Sequence, residues 1–387
     1  MPDAIHFQLF LSPTLRHCTL PLIHPSLRSI GTRCHGLEEL SIVPGAEPSE
    51  VSDTVRSCNQ LVDLTSPLLD SAAFVHLSNL PTFSRLKICA RIPYASRPDW
   101  AKLKLGPFLN VRALILEVAD ITTTTTFARI VQHSEFPSLN KLEISDDDLP
   151  WADVEQLFRA LSQCKARHSL QNIKVVCRTR SKSDSSMKVA QLRHFKQLRN
   201  LWLQCPLNID NDTLLDTMSC WPHIRSLIYI NRSRGPNLPN VTPRGLFAAL
   251  RLCPDLHTMQ IEVDATNVDI DPETESFQHP SLKRLNLGSS IIRDAKSFAR
   301  IMIYMLPGLR QVMGGQLQFS CGFVINWLEV FGRFFWPDQN KPLYELESWC
   351  TSFSVAEEPY DVRFRPIFGH FGRPNVPPNA RLLMEKI

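Results

Sequence analysis

The chain has 387 residues, 43% of them hydrophobic, which suits one extended domain or two to three globular ones and is too apolar for a disordered polymer. Its 42 basic and 38 acidic residues nearly cancel to a formal charge of +4, so the composition sets up no overall field of the kind that gathers nucleic acid. Eleven cysteines are scattered without a Cys-x-x-Cys pair or matching histidine spacing, which argues against structural zinc and against a disulfide scaffold.

The stretch from Met1 to Pro13 has no basic leader followed by an apolar run, and no apolar run of about 18 residues occurs further on. The expectation is a soluble protein of the cytoplasm or nucleus, with no membrane and no nucleic acid among its partners. From Leu15 onward a short pattern, Leu-x-x-Leu-x-Ile, recurs. Copies begin at Leu15, Leu37, Leu61, Phe83, Val111, Leu139, Leu170, Leu198, Ile224, Leu256, Leu282 and Leu309, a mean period of (309 − 15)/11, or about 27 residues. The fourth position is apolar in every copy, from Cys18 and Leu40 through Leu142 and Leu201 to Leu285 and Val312.

Proline stands two residues before seven of the copies (Pro13, Pro81, Pro137, Pro222, Pro254, Pro280 and Pro307), where it stops a helix and turns the chain toward extended geometry. Between copies the apolar period changes from 2 to 3.6. Val154, Leu157, Phe158, Leu161 and Cys164 share one helix face, as do Phe298, Ile301, Met302 and Met305. Thr242-Pro243, Asp294, and Asp210 or Asn211 supply helix starts. The string His24-Pro-Ser-Leu27 copies His279-Pro-Ser-Leu282 but lies too close to Leu37 for another unit, so Leu27, Ile30 and Cys34 read as a helix face after a Ser26 cap.

Each unit is thus one strand and one helix that cannot bury their apolar sides alone. Stacking predicts an α/β leucine-rich-repeat solenoid, with a parallel inner sheet and outer helices, over residues 1–314. Phe319, Phe323, Trp327 and Phe331, spaced by four, predict a C-terminal cap helix over 315–336, and the proline-rich 337–387 an irregular tail.

The run Ser12-Pro-Thr-Leu-Arg-His-Cys-Thr-Leu20 with His35-Gly-Leu-Glu-Glu-Leu40 resembles the leucine-rich-repeat part of fungal, mushroom-type F-box proteins. Leu77-Ser-Asn-Leu-Pro-Thr82, His133-Ser-Glu-Phe-Pro-Ser-Leu139 and Glu155-Gln-Leu-Phe-Arg-Ala-Leu-Ser162 are similar to the same group, so the likeness covers about 12–314. The resemblance implies the substrate-binding half of an adaptor of a cullin-RING ubiquitin ligase, a role in which an N-terminal F-box docks on a Skp-type adaptor. No Leu-Pro-x-Glu-Leu-Leu-x-x-Ile-like string occurs in the sequence, so the expectation is an F-box lost or omitted from the gene model, with adaptor binding only if it is restored. The competing reading is a free-standing repeat scaffold for protein assembly.

In such strands the fourth and sixth side chains enter the core, and the third and fifth face outward on the concave sheet. The fifth position reads Ile115, Glu143, Lys174, Trp202, Ile228 and Gln260, flanked at the third by Lys141, Asn172, Asn200 and Ser226. Ile115, Trp202 and Ile228 are apolar where water is expected. The protein-binding set is therefore Ile115, Lys141, Glu143, Lys174, Asn200, Trp202, Ile228 and Gln260, with a protein substrate as partner. Trp202 either anchors that partner or lies flat against its neighbours.

Chemistry is absent from the pattern: no Gly-x-Ser-x-Gly elbow, Gly-x-Gly-x-x-Gly, P-loop or His-Glu-x-x-His occurs, so no catalytic, cofactor or metal residues are expected. The acidic groups Asp146 to Asp148 and Asp264 to Glu275 lack the ligand spacing of a calcium loop and read as solvated faces. Two longer loops, the basic, serine-rich Arg178 to Lys188 and the turn-rich Asn231 to Asn240, read as solvated insertions; the competing readings are a phosphorylated or anion-contacting loop for the first and a partner contact through Arg232 and Arg234 for the second. His35, His133 and His279 stand at helix-to-strand joints. Cys34, Cys58 and Cys253 take a position held elsewhere by Phe136, Phe195, Trp221 or Leu306, which makes them core thiols.

Overall fold

The computed structural model describes residues 11–20, 30–42, 48–90, 105–118, 121–146, 151–177, 189–205, 208–231, 239–268, 270–271 and 275–314. The chain divides into two units, Met1–Phe331 and Gly332–Ile387. The expected cap helix and tail, from residue 315 on, lie outside the described residues, as do Leu27 and most of the two long loops.

The first unit is an α/β solenoid built on a 12-stranded sheet. Its strands are β1 (His17–Leu20), β2 (Glu39–Ile42), β3 (Asp63–Ser66), β4 (Arg85–Ala90), β5 (Ala113–Val118) and β6 (Lys141–Asp146), then β7 (Asn172–Cys177), β8 (Asn200–Gln204), β9 (Ser226–Ile230), β10 (Thr258–Gln260), β12 (Arg284–Asn286) and β14 (Gln311–Met313). They follow chain order across the sheet, and every neighbouring pair is parallel. Each begins at the third position of one Leu-x-x-Leu-x-Ile copy. The register joins like to like: Leu114 opposes Leu142, then Ile173, Leu201, Leu227 and Met259 in turn. A two-stranded parallel sheet, β11 (Asp264–Ala265) with β13 (Ile291–Ile292), continues the chain just beyond β10 and β12.

Successive units are also tied before the strands start. The backbone carbonyl at the second position of one unit accepts the N–H groups of the second and third positions of the next, as Arg112 does from Asn140 and Lys141, both at 2.9 Å. Between the end units the apolar first, fourth and sixth positions are buried on one side of the sheet, Leu139, Leu142 and Ile144 among them, in a single hydrophobic cluster with the helix residues, against which the half-buried Leu15, Cys18, Leu309 and Val312 of the end units pack. Each fully buried leucine contributes about 1.5–3 kcal/mol, so stacking supplies what no single unit can.

The helices are α1 (Ile30–Arg33), α2 (Pro48–Ser57), α3 (Ser71–Ser78), α4 (Ile121–His133), α5 (Trp151–Gln163), α6 (Asn211–Met218), α7 (Pro243–Leu250) and α8 (Ala295–Met305). A short 3-10 turn at Lys165–His168 follows α5 in the same connection, and another at Val189–His194 serves the connection from β7 to β8. The helix starts follow the sequence: Asp210, Thr242 and Asp294 accept from the N–H three residues on, with Asp210 rather than Asn211 as the cap, and Asp70 does the same. Val154, Leu157, Phe158 and Leu161 face the core, as do Phe298, Ile301, Met302 and Met305. Aromatic pairs stitch units together, Phe158 to Phe195 in the next unit at 6.1 Å and Phe74 to Phe127 two units on at 5.9 Å between centroids.

Two joints fix how closely the helices stack. Asn211, at the start of α6, accepts from the Thr242 N–H at 2.9 Å and donates to the Thr242 hydroxyl at 3.1 Å, and its amide lies where a side chain at Gly245 would have to go. The ring of His279, 2% exposed, spans a second joint. The Leu282 N–H donates to its Nδ1 at 3.2 Å, which leaves Nε2–H to donate to the Cys253 carbonyl 2.9 Å away. His279 is thus a structural link, whereas His35 and His133 are exposed at their joints.

Gly245→Ala should destabilise the protein by about 1–3 kcal/mol, because the added methyl displaces Asn211 from a packed joint, and urea unfolding will measure it. Asp210→Ala should cost about 1 kcal/mol at neutral pH. Hydrogen bonds from the Thr213 side chain and backbone hold the Asp210 carboxyl below its ordinary value. Its contribution is therefore complete above the unfolded-state value of about 4 and is lost as pH falls through the lower folded value, so the gap between wild type and variant should close in acid.

Candidate protein-binding surface

On the open side of the sheet, away from the helix-packed core, the third and fifth positions form rows that cross the strands at about 4.8 Å per step. Through β1 to β6 the charged residues of these rows have partners of opposite type. His17 faces Glu39 at 2.8 Å, Arg85 faces Asp63 at 3.5 Å, Lys87 reaches Glu117 at 2.7 Å and Lys141 reaches Glu143 at 2.9 Å. The lysine and arginine pairs among them leave the face polar while offsetting each other's charge.

The character changes at β7. Lys174 makes no ion pair with a described residue, and its Nζ instead lies 5.1 Å from the Trp202 ring centroid, a cation-π geometry. Trp202 is 37% exposed and sits beside Ile228, its register partner on β9. Next to it runs an amide ladder: Asn172 Nδ2 donates to Asn140 Oδ1 at 2.7 Å, and Asn200 Nδ2 donates to Asn172 Oδ1 at 2.6 Å. The ladder ends on the Asn200 carbonyl oxygen, which accepts from no described residue. Donation through its own N–H makes that oxygen a stronger acceptor.

Lys141, Glu143, Lys174, Asn200, Trp202 and Ile228 together line an open depression of about 360 Å3, with Asn172, Ser226 and the backbone-side Leu142, Ile173 and Leu201. Six of the eight residues expected from the sequence therefore converge. Gln260 stands one strand further on, opposite Ile228, and is half-buried outside the depression.

Ile115 corrects the expectation of three exposed apolar residues. It occupies its fifth position on β5 but is only 5% exposed. Its neighbours in register are Lys87 and Glu143, and ion pairs pin both, Lys87 to Glu117 on the strand of Ile115 itself. The aliphatic stems of side chains so held cover the isoleucine, which packs as part of the face and offers no apolar surface. The part of Asn172 was not legible as such, because an amide ladder needs three strands in register before any member has a partner.

Among the described residues no group of histidine, cysteine or acidic side chains is arranged to hold a metal ion, and no helix is long and apolar enough to cross a membrane. The remainder of the acidic stretches, Asp147, Asp148, Asp269 and Glu273, and the loop arginines Arg232 and Arg234, lie outside the described residues. Cys34, Cys58 and Cys253 are buried as their shared position predicts. Desolvation pushes the thiols of Cys58 and Cys253 up to about 12, the reverse of what a nucleophile needs.

No protein-family model matches the chain, and no curated protein matches it. Several solved structures are similar in outline. An internalin from Listeria monocytogenes has 12% identity and a TM-score of 0.35 over 76% of this chain and 70% of its own. Toll in the Toll–Spatzle complex of Drosophila has 15% identity and a TM-score of 0.37 over 79% of this chain, which spans only 43% of Toll. TLR13 in a complex with ssRNA13 has 14% identity and a TM-score of 0.33 over 78% of this chain and 50% of its own. At these scores the similarities carry no argument about the present chain, whose architecture rests on its own strand order and register.

Native protein at pH 8 should leave Cys58 and Cys253 unalkylated for as long as it stays folded, while the half-exposed Cys220 reacts. Mass spectrometry of iodoacetamide-treated peptides, before and after unfolding in urea, reads the difference.

Proposed function

We propose that the chain is a protein-recognition module that acts by binding rather than catalysis and holds its partner on the open face around Trp202 and Ile228. The observation that carries this reading is the contrast along the face: charges are paired through β6, and then an exposed indole, an isoleucine and an unspent amide acceptor share one depression. An aromatic anchor ringed by polar groups is the composition of a binding hot spot. The working set is Lys141, Glu143, Asn172, Lys174, Asn200, Trp202, Ser226 and Ile228, with Gln260 at its margin.

The finer reading is the substrate-binding part of an F-box-like adaptor of a cullin-RING ubiquitin ligase, supported by the resemblance of residues 12–314 to the repeat part of mushroom-type F-box proteins. On that reading a Skp-type adaptor binds only through an F-box. The alternative, a free-standing repeat scaffold, uses the same face and needs no adaptor.

A photo-crosslinking amino acid at Gln260 should yield protein adducts in cells, and one at Arg159 on the helix side should not. Trp202→Ala should weaken the partner's binding by about 2 kcal/mol or more, roughly thirtyfold in Kd. Adducts that form equally from both faces, or that survive Trp202→Ala unchanged, would remove the site. Binding of the Skp-type adaptor by a form extended with upstream coding sequence supports the ligase reading, and its failure favours the scaffold.

A further inference from the structure

The second position of the repeat belongs neither to the core nor to the alternating open face, and in the last five units it changes character. It reads Arg199, Arg225, His257, Lys283 and Arg310, whereas the seven units before carry only Arg16 and Arg112 as cations there. These five residues are consecutive rungs of one backbone ladder. The Arg225 N–H donates to the Arg199 carbonyl at 2.7 Å, His257 to Arg225 at 2.8 Å, Lys283 to His257 at 2.9 Å and Arg310 to Lys283 at 2.9 Å. The sheet therefore fixes their spacing at about 4.8 Å, and the row is about 19 Å long. Arg284 on β12 adds a further cation beside it.

Arg199, Arg225, Lys283, Arg284 and Arg310 are exposed, and none makes an ion pair with a described residue. The carboxylate nearest in sequence, Asp255, lies 3.8 Å from the His223 ring, and its backbone carbonyl holds the His257 ring. In the same row Arg16, by contrast, is paired with Glu38 at 3.4 Å. A run of uncompensated like charges at fixed spacing raises the local potential and is costly unless an anion covers it.

We propose that this row receives an extended acidic segment of the protein partner, whose adjoining apolar residue seats on Trp202 and Ile228. The inference rests on the recognition reading above and deepens it by naming the partner's chemistry. An extended chain advances about 3.3 Å per residue, so about six residues span the row. Arg199 and Arg225 directly precede Asn200 and Ser226 in the depression, which joins the charged row to the apolar anchor, and Lys174 lies ready for one more carboxylate. A single-stranded nucleic acid is the other polyanion that cations at regular spacing would draw. It needs successive aromatic faces for successive bases, and among the described residues that line the depression Trp202 is the one aromatic side chain.

The test uses the full chain and fluorescence anisotropy with a labelled peptide of six glutamates followed by glycine and leucine. Its controls are the same peptide with glutamines and a twelve-nucleotide oligouridylate. The glutamate peptide should bind, weaken as salt rises, and lose about tenfold or more in affinity on Arg199→Glu with Arg225→Glu. The milder pair Lys283→Gln with Arg310→Gln should lose less, and unchanged melting curves for both pairs establish that the fold is kept. Equal binding of the glutamine peptide, tighter binding of the oligouridylate, or no effect of charge reversal would overturn the proposal. If those results come while Trp202→Ala still releases the cellular partner, the recognition site stands and only the acidic chemistry falls.

Discussion

Everything in this molecule depends on one continuous parallel ladder that pairs each repeat position with the same position in the next unit. Because side chains alternate with period 2, a slip of one residue at any of the strand joints would carry leucines from the core to water. The register is therefore held on both sides at once, by the buried fourth and sixth positions and by the paired N–H donation to each second-position carbonyl. Once the register is set, rows follow without further instruction. The leucine row becomes the core, and the third- and fifth-position rows become a surface whose chemistry is written one residue per strand.

The helices add the second dimension of the lock. Phe158 with Phe195 and the Asn211 amide against Gly245 each join one unit to the next, and Phe74 reaches Phe127 two units on, rather than stabilising a helix by itself. Stability then resides in interfaces between neighbours, so a defect at one joint weakens two units and leaves distant ones intact. The spacing of Trp202 and Ile228 on the open face is set by their register in the sheet.

The fold was legible because its signals are local. Leucine spacing, proline two residues ahead of it, and an aspartate or threonine at a helix start each act within a few residues, and all twelve strands begin where those signals put them. The site was legible only in part, since it depends on neighbours about 30 residues away in the chain. Periodicity rightly turned Trp202 and Ile228 outward. It also turned Ile115 outward, without registering that Lys87 and Glu143 would be held beside it by ion pairs. The Asn140–Asn172–Asn200 ladder and the Lys174–Trp202 contact exist only when three strands are side by side. The cationic second-position row escaped for another reason: a residue between core and alternating face has no period to mark it.

The units differ in length, from 22 residues between Leu15 and Leu37 to 32 between Ile224 and Leu256, yet each advances the sheet by the same single rung. Insertions are thus absorbed in the connections and never reach the pitch of the surface. A lineage of such chains is free to lengthen or trim any loop, or to gain or lose a whole unit, while the pattern already inscribed on the remaining rows stays in step. The surface behaves as a tape with fixed graduations, on which specificity changes by rewriting single marks.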